Sequence, residues 1–193
     1  MAKFYYQGHG SYRITSDEGV VIYVDPYAGD GYDLPADLII VTHEHTDHNQ
    51  VQLVNLKKDG VILRQNDLHK ENYEIVEYKG ILIEGTPACN KNHLRRECVG
   101  FLMDIDGKRI YGAGDTSFFE EMKDFKALDY AILPSDGIYN MDMKEASHIA
   151  DLLDCKKAIP VHMAPGQLFD ENKIKDFTTE KALIIRPGEE IIL

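Results

Sequence analysis

The sequence predicts an α/β fold in which β-sheets carry helices on their outer faces. Short β-rich runs separated by turns occupy much of the first half of the chain. Lys79-Gly80 and Asp106-Gly107 each connect two such runs, and the Asp-Gly pair readily adopts the positive backbone angles of a two-residue hairpin. Amphipathic helical patterns then alternate with apolar strands towards the C-terminus. Such alternation indicates sheets that are covered by helices.

The strands are predicted from apolar and β-branched runs that end at turn residues. Runs at Lys3–Tyr6, Tyr12–Thr15 and Val20–Val24, separated by glycine-containing turns, indicate an antiparallel meander. Because proline cannot donate a ladder hydrogen bond, the chain leaves the sheet at Asp25-Pro26. Further strands are predicted at Leu38–Val41, Val61–Gln65, Tyr73–Tyr78, Ile81–Thr86, Val99–Ile105, Lys108–Tyr111, Tyr130–Leu133, Lys157–Val161 and Leu183–Ile185.

The helices are predicted from apolar residues that recur at helical spacing. The pattern is present in Asn49–Leu56, Ser117–Phe125 and Lys144–Leu153, and it is weaker in Asp170–Phe177. These segments alternate with the later strands. They are therefore the candidates for the outer layers.

Composition narrows the expected partners and compartment. A net charge of −12 and a pI near 5.0 argue against nucleic acid or an anionic membrane as the main partner. Three cysteines without CxxC spacing indicate neither a disulfide framework nor a cysteine zinc site, and they fit a reducing cytoplasm. The N-terminal residues contain no apolar run suited to a signal peptide or a membrane span. We expect one cytoplasmic domain over residues 1–193 that acts on a small molecule, and the sequence leaves homo-oligomer formation open.

The stretch Thr42-His43-Glu44-His45-Thr46-Asp47-His48 lies between a predicted strand and a predicted helix. His43 and His45 face the same side of an extended chain, whereas Asp47 and His48 point elsewhere once the chain turns. Imidazole and carboxylate groups suit zinc, manganese or iron, and three histidines are unusual in a plain polar turn. This segment therefore predicts ligands for two neighbouring metal ions.

Two more candidate ligands follow later strands. Asp115 lies in Gly112-Ala113-Gly114-Asp115-Thr116, where the glycines permit close approach of the backbone. The alternative role for Asp115 is a helix N-cap before Ser117. His162 follows the strand Lys157–Val161, and its alternative is a buried structural histidine.

The remaining histidines are harder to assign. His93 lies in a polar loop after a strand, where metal ligands often gather, and a surface histidine is its alternative. His69 lies in a charged segment between the same motifs, so chain order alone does not choose between the two. His9, flanked by glycines, and Asp25, at a strand end, are candidates for orienting a ligand histidine.

Taken in order, these motifs resemble the metallo-β-lactamase fold superfamily of hydrolases. The specific part of the resemblance is His43-x-His45-x-Asp47-His48, a later histidine, Gly114-Asp115-Thr116 and a final His162. Shorter motifs resemble those of the branch that contains the ascorbate-6-phosphate lactonase and related metal-dependent hydrolases. They are Gly8-His9-Gly10-Ser11, Asp25-Pro26, Leu133-Pro134, Tyr139-x-Met141 and Ile159-Pro160-x-His162.

The resemblance implies a four-layer αββα sandwich with the metals at one edge, between the two sheets. It implies one metal on His43, His45 and His93, and a second on Asp47, His48 and His162, with Asp115 as the bridge. The family also has a histidine shortly before a strand like Val99-Gly100-Phe101, which favours His93 over His69. One departure is Asp136, because the family usually has glycine there. We expect its carboxylate to narrow the substrate pocket or to change its charge.

The implied site belongs to a metal-dependent hydrolase. Two divalent ions, zinc first, with manganese or iron as alternatives, would lower the pKa of a bridging water, and the hydroxide would be the nucleophile. Asp47 would bind a metal and steer the hydroxide. Four metal charges against Asp47 and Asp115 give a local charge of about +2, so a small anionic metabolite with a phosphodiester or lactone bond is admissible.

Residues for recognising the substrate are less clear in the sequence. Basic side chains crowd the loop that carries His93, and guanidinium groups suit phosphate or carboxylate, although an ordinary charged loop is the alternative. The candidate substrate-binding residues are Lys91, Arg95, Arg96, Asp136 and Tyr139. A second function class is also open: a non-hydrolytic metal-binding or di-iron redox module of the same fold.

Overall fold

Twelve strands and two α-helices account for the regular structure of the chain. The computed structural model describes residues 1–193. The strands of the first sheet are β1 (Lys3–Gly8), β2 (Ser11–Thr15), β3 (Val21–Val24), β4 (Ala36–Val41), β5 (Leu56–Arg64) and β12 (Glu190–Ile192). Those of the second sheet are β6 (Ile75–Tyr78), β7 (Ile81–Pro87), β8 (Val99–Ile105), β9 (Lys108–Gly112), β10 (Leu128–Pro134) and β11 (Cys155–Val161). The helices are α1 (Gln65–Leu68) and α2 (Met143–Leu152).

The two sheets share one topology. In the first sheet, of order β12-β1-β2-β3-β4-β5, strands β1 to β3 pair antiparallel and β4 and β5 join in parallel. In the second, of order β11-β10-β9-β8-β7-β6, strands β7 to β9 pair antiparallel and β10 and β11 join in parallel. In open α/β sheets, ligands bind beyond the carboxyl ends of parallel strands. The loops after these strands are therefore the natural place for a site.

The largest core lies between the two sheets. It contains 24 buried residues, with Phe4, Ile22 and Ile40 on the first sheet and Phe101 and Ile132 on the second. Burial of this apolar surface is the main favourable term in holding the sheets together. The sandwich therefore sets how far apart the loops at the two sheet edges can lie.

The outer layers differ in thickness. Helix α2 covers the second sheet with an apolar face that includes Ala146, Ile149 and Ala150, above a second cluster of 19 buried residues. The hydrophobic cluster on the outer face of the first sheet has only six buried residues, including Tyr23 and Ile39, beneath loops and a 3₁₀ turn at Val51–Leu53. The predicted α/β sandwich is confirmed, but one outer layer contains almost no helix. No helix is long and apolar enough to cross a membrane.

Both predicted hairpins are confirmed. Lys79 and Gly80 have φ of 50° and 80° between β6 and β7, and Asp106 and Gly107 have φ of 49° and 73° between β8 and β9. Two consecutive positive values match a turn whose twist suits the flanking strands. These turns fix the register of β6 against β7 and of β8 against β9.

Several segments predicted as helices are only single turns. Asn49–Leu56 contains the 3₁₀ turn at Val51–Leu53 and then enters β5, because Val51 and Val54 pack on the sheet. Ser117–Phe125 and Asp170–Phe177 contain 3₁₀ turns at Glu120–Asp124 and Lys173–Asp176. Spacing alone does not separate one short turn from a longer helix.

Near the C-terminus one strand prediction was wrong and one strand was missed. Leu183–Ile185 forms no strand, because only an isolated bridge between Ala182 and Ala158 ties this segment to β11. The real last strand, β12, has three residues and begins with a glutamate, so its sequence carries little strand signal. It pairs antiparallel with β1.

Candidate metal centre

Loops at one edge of both sheets bring the predicted ligands together. The Thr42–His48 stretch follows β4, Asp115 follows β9, and His162 follows β11. His93 comes from the loop between β7 and β8. Within each of three groups the possible ligand atoms lie within 4.8 Å of one another: His43, His45 and His93; His43, His48 and Asp115; and His9, Asp47, His48 and His162.

The first group consists of three imidazoles. The ring centroid of His93 lies 4.6 Å from that of His43 and 4.5 Å from that of His45. His43 and His93 are buried, whereas His45 is exposed. Three imidazoles on one side of a cleft suit zinc, which accepts nitrogen ligands and keeps an open position in catalytic sites.

The second group surrounds the Asp47 carboxylate. Its Oδ2 atom lies 3.7 Å from His162 Nε2 and 3.9 Å from His48 Nε2. His9 Nε2 is nearer, at 3.1 Å. Asp47 thus faces the two histidines with which the resemblance paired it, and it also faces His9, which was predicted only to orient a ligand histidine.

Asp115 lies between the two groups. Its Oδ1 atom is 3.5 Å from His48 Nε2 and 3.6 Å from His162 Nε2, and its Oδ2 atom is 4.0 Å from His43 Nε2. The nearest following helical turn begins at Glu120 with Phe119 as its N-cap, so the alternative of a helix cap for Asp115 is wrong. The location matches the bridging position that the resemblance implies.

A glycine is required immediately before Asp115. Gly114 has φ of +63°, and a Cβ atom there would lie 2.7 Å from the Val99 carbonyl oxygen. Side chains are strained in this left-handed region and here would also collide with backbone. Gly114 therefore allows the chain to turn at the end of β9 and direct Asp115 into the site.

Three buried nitrogen atoms point into this centre without a hydrogen-bond partner. They are the Nε2 atoms of His43, His48 and His162. A buried polar atom without a partner is costly, and such groups in native proteins usually have an unrecorded water or ion as partner. All three atoms face Asp115 Oδ1 or Oδ2 at 3.5 to 4.0 Å. The donor set therefore fits divalent cations.

Hydrogen bonds behind the site decide which nitrogen of each ring is free. Asp25 Oδ2 lies 2.9 Å from His48 Nδ1 and also accepts a bond from the Thr42 hydroxyl at 2.7 Å. Because Thr42 gives its only proton to Asp25, its oxygen accepts from His43 Nδ1 at 3.1 Å. Both rings then carry their proton on Nδ1. Their Nε2 lone pairs remain free for a cation, as in carboxylate–histidine–metal arrangements.

Charges in the site agree with a cation-binding role. Burial and the neighbouring His48 ring lower the pKa of His43 to about 2, so His43 is neutral and able to bind a metal. Burial alone would raise the pKa of Asp115, but the His48 and His162 rings outweigh it and lower that pKa. Burial would likewise lower the pKa of His162, but Asp115 and Asp136 raise it to about 10. A cation would take the place of this proton.

A family model described as a β-lactamase superfamily domain matches residues 3–162. The chain belongs to the β-lactamase superfamily. A metal-dependent hydrolase of Thermococcus onnurineus is 30% identical over 98% of both chains, and one of Methanoregula boonei is 33% identical over 95% of both. The family match and these relatives together show that the chain is a metal-dependent hydrolase of the superfamily, as its motifs predicted.

Solved structures agree with this assignment. A structure described as a metal-dependent hydrolase from Parabacteroides distasonis is 31% identical, covers 96% of this chain and 93% of its own, and superposes with a TM-score of 0.79. A metallo-β-lactamase fold protein from Bacillus subtilis is only 14% identical, yet it covers the whole of both chains with the same TM-score of 0.79. The second similarity concerns the fold alone.

In this superfamily member the candidate centre opens into a cleft of about 570 Å³. Its walls include the ligand candidates His45, Asp47, His93, Asp115 and His162. The other residues that line the cleft are Tyr27, Glu44, Thr46, Asn92, Tyr139 and Pro165. Of the five residues predicted to bind substrate, only Tyr139 lies on this wall. No lysine or arginine lines the cleft, so the walls themselves offer no cation for an anionic substrate.

The predicted basic clamp is not part of the cleft. Arg95 donates two hydrogen bonds to the Glu121 carboxylate, at 2.7 and 3.1 Å, and lies over the Phe119 ring. Lys91 and Arg96 are exposed. None of these three side chains lines the cleft, although all are close to His93 in sequence.

Asp136 has a different position from the one predicted. It is 2% exposed and lies behind His162, where its Oδ2 atom is 3.1 Å from His162 Nδ1. Its other oxygen accepts three backbone hydrogen bonds, from Ile138, Tyr139 and Asn140. The carboxylate is therefore not part of the wall of the cleft.

The ends of the strands that carry the site have unusual backbone angles. His9, Asp25 and His162 have φ of 56°, 44° and 50°, a region that non-glycine residues seldom adopt. His9 is also held at its ring, with Nδ1 3.0 Å from the Gln167 carbonyl oxygen and Nε2 at Asp47. Strained residues of this kind concentrate at functional sites.

Sequence reasoning missed several residues around the centre. Thr42 lies in the stretch that the sequence analysis identified. Its role in setting the His43 tautomer could not be predicted, because that role depends on the hydrogen bond to Asp25. Tyr27, Glu44 and Asn92 line the cleft, and only their closeness to ligand candidates in sequence could have indicated them.

His69 stacks on Tyr73, with ring centroids 4.2 Å apart, and belongs to none of the three ligand groups.

Proposed function

We propose that the chain hydrolyses a phosphodiester or lactone bond in a small metabolite at a centre for two divalent ions. The three unpartnered Nε2 atoms of His43, His48 and His162, converging on the Asp115 carboxylate, carry this proposal. When bound, the two ions would supply a hydroxide nucleophile at neutral pH and would stabilise negative charge on the attacked group. Zinc is the first choice for this ligand set, with manganese or iron as alternatives.

The ligands divide between two positions. His43, His45 and His93 would hold one ion, and Asp47, His48 and His162 the other, with Asp115 shared between them. The distances from Asp115 to histidines of both groups, 3.5 to 4.0 Å, support this division. Ions about 3.5 to 4 Å apart are the usual arrangement in two-metal hydrolytic sites.

Asp47 has a second role beside ligation. Burial alone would raise the pKa of Asp47, but the nearby His162 ring and the hydrogen-bond contact with His9 outweigh it and keep the carboxylate ionised. Asp47 also reaches the cleft, where its side chain is 31% exposed. An ionised carboxylate there can accept a hydrogen bond from the attacking water and orient it towards the substrate.

The cleft restricts the charge of the substrate. Its only charged side chains besides histidine are Glu44, Asp47 and Asp115, and Glu44 is neutralised by Arg64 at 2.6 Å. An anionic group can therefore be neutralised only at the ions themselves. We propose a substrate with a single negative charge on the group that is hydrolysed. A phosphodiester carries this charge from the start, whereas in a lactone it develops during the reaction. Tyr27, Tyr139 and Asn92 then contact the uncharged remainder. Nucleic acid, membranes and a second copy of the chain have no part in this proposal.

A panel of model substrates tests the proposal. Bis(p-nitrophenyl) phosphate, p-nitrophenyl phosphate and a simple γ-lactone present a singly charged diester, a doubly charged monoester and a neutral ester. We expect turnover of the diester or the lactone, little turnover of the monoester, loss of activity on chelation, and recovery with zinc or manganese. Turnover that survives complete chelation, or no turnover by protein with two bound ions, would contradict the proposal.

Because Arg95 and Arg96 do not line the cleft, we expect that they contribute little to substrate binding. The double alanine variant should keep kcat and KM within about twofold of wild type, because neither guanidinium reaches the cleft and exposed ion pairs contribute little. Steady-state kinetics on the best substrate of the panel measure this. A large rise in KM at constant kcat would instead restore the basic clamp that the sequence suggested.

A further inference from the structure

A chain of polar contacts runs behind the candidate centre from His162 towards His93, and its links from Asp136 onward are hydrogen bonds. At the His162 end, Asp136 Oδ2 lies 3.1 Å from His162 Nδ1 and accepts a hydrogen bond of 2.8 Å from Asn140 Nδ2. Backbone N–H groups hold the other carboxylate oxygen at 2.6 to 3.2 Å. The carboxylate is therefore fixed in place. A carboxylate at Nδ1 favours the tautomer that leaves the His162 Nε2 lone pair free.

The other end of the chain reaches the loop that carries His93. Asn90 Nδ2 donates to Asn140 Oδ1 at 2.8 Å, and Asn90 Oδ1 accepts from the backbone N–H groups of Asn92 and His93 at 2.8 and 2.9 Å. Asn140 thus uses its donor towards Asp136 and its acceptor towards Asn90. An amide with both ends bonded to fixed partners is held in one orientation, and Asn140 is 7% exposed.

From these contacts we propose that Asp136, Asn140 and Asn90 form a relay that positions His162 and His93 together. The two histidines belong to different ion positions, so the relay would couple the geometry of the two positions from behind. Asp136, Asn140 and Asn90 are positioning residues, because none of them is a candidate ligand and none lines the cleft. This inference rests on the proposed dinuclear centre.

The loop that contains Asp136 and Asn140 has other attachments to the His162 segment. Ser135 Oγ donates to the Val161 carbonyl at 2.8 Å, and Lys173 Nζ donates to the carbonyls of Asp136 and Met163 at 2.8 and 2.9 Å. These bonds do not involve the side chains of the relay. Substitutions in the relay should therefore disturb histidine orientation while the loop stays attached.

Three variants give a pattern that loss of packing alone would not produce. Asn140→Ala removes the central link and should weaken zinc binding at both positions by about 10- to 100-fold. Asn90→Ala should weaken only the position that contains His93. Asp136→Asn still accepts the backbone bonds, but it turns an amide donor towards both His162 Nδ1 and Asn140 Nδ2, so it should weaken the position that contains His162 more than the position that contains His93. Asn72→Ala, in an exposed loop, is the matched control and should leave both affinities unchanged.

Competition with a chromophoric chelator measures the two zinc affinities, and circular dichroism of the metal-free variants checks the fold. In a His93→Ala background, Asp136→Asn should weaken the remaining position further, whereas Asn90→Ala should add nothing. If Asn140→Ala does not fold, the different effects of Asn90→Ala and Asp136→Asn on the two ion positions still test the relay.

Two results would overturn the relay, and they are distinguishable. Wild-type protein that binds two zinc ions, with Asn140→Ala or both end variants binding them equally well, would refute the relay and leave the proposed function standing. Wild-type protein that binds no zinc, manganese or iron would remove the proposed centre itself. Because the readout is metal affinity, neither result depends on finding the substrate.

Discussion

Asp47→Ala is expected to lower kcat/KM by about a hundredfold or more while the chain stays folded. The carboxylate faces three imidazoles, with His9 Nε2 at 3.1 Å, His162 Nε2 at 3.7 Å and His48 Nε2 at 3.9 Å. Its removal takes away one ligand candidate and the acceptor that orients the attacking water. Hydrolysis of the best model substrate, assayed with saturating zinc, measures the loss.

The control for this variant is an exposed aspartate without side-chain partners. Asp59→Ala removes a carboxylate from β5, and it should leave turnover unchanged. Asp47 is itself partly exposed, so its substitution should alter thermal unfolding of the metal-free chain little. An Asp47→Ala protein with wild-type turnover would show that the proposed site is wrong.

His93→Ala is expected to abolish stable binding at one of the two ion positions. The His93 ring lies within 4.6 Å of those of His43 and His45, and its loss leaves two imidazoles and the shared Asp115. Because Asp115 would be shared with the other ion, this position would keep only two donors of its own, fewer than the three protein ligands that are usual in catalytic zinc sites. Bound metal per chain, measured after dialysis against metal-free buffer, should fall from two ions to one.

His69→Ala provides the matched comparison. His69 stacks on Tyr73 and lies outside every ligand group, so this variant should keep the metal content of wild type. The pair of variants tests the choice between two histidines that chain order left open. Loss of metal in His69→Ala, with normal content in His93→Ala, would reverse the assignment.

The ligand candidates were accessible from sequence because most are local. His43, His45, Asp47 and His48 lie within six residues at a strand end, and the turn there directs them to two sides. Asp115 and His162 also follow predicted strands directly, and the topology brings the carboxyl ends of those strands to one edge. Local spacing was sufficient to propose the first four residues, whereas Asp115 and His162 were chosen over their alternatives only through the family resemblance.

Residues that act through distant partners could not be assigned in this way. Asp136 was expected in the cleft, yet it contacts the back of His162, which is 26 residues away in sequence. Arg95 was expected to meet substrate, yet Glu121 on another segment holds it at the surface. The orientation of a long or buried polar side chain depends on partners that sequence spacing does not reveal.

The outer layers show the same limit. Helical spacing in Asn49–Leu56 arose because two apolar residues cover the first sheet, and a single turn is enough to place them there. Lys144–Leu153, by contrast, begins after an Asp142 capping box and continues for enough turns to bury one face, so its prediction is confirmed as α2. Length and capping separate the two cases.

The central claim is that this member of the superfamily binds two ions for hydrolysis at the centre formed by the two sheet edges. The most direct test is the metal content of the purified wild-type chain, measured by mass spectrometry together with its visible spectrum. We predict two zinc or manganese ions per chain and a spectrum that does not change with reductant. Fewer than two ions would contradict the dinuclear centre, and two irons with reductant-sensitive absorption would favour a redox module over the proposed hydrolase.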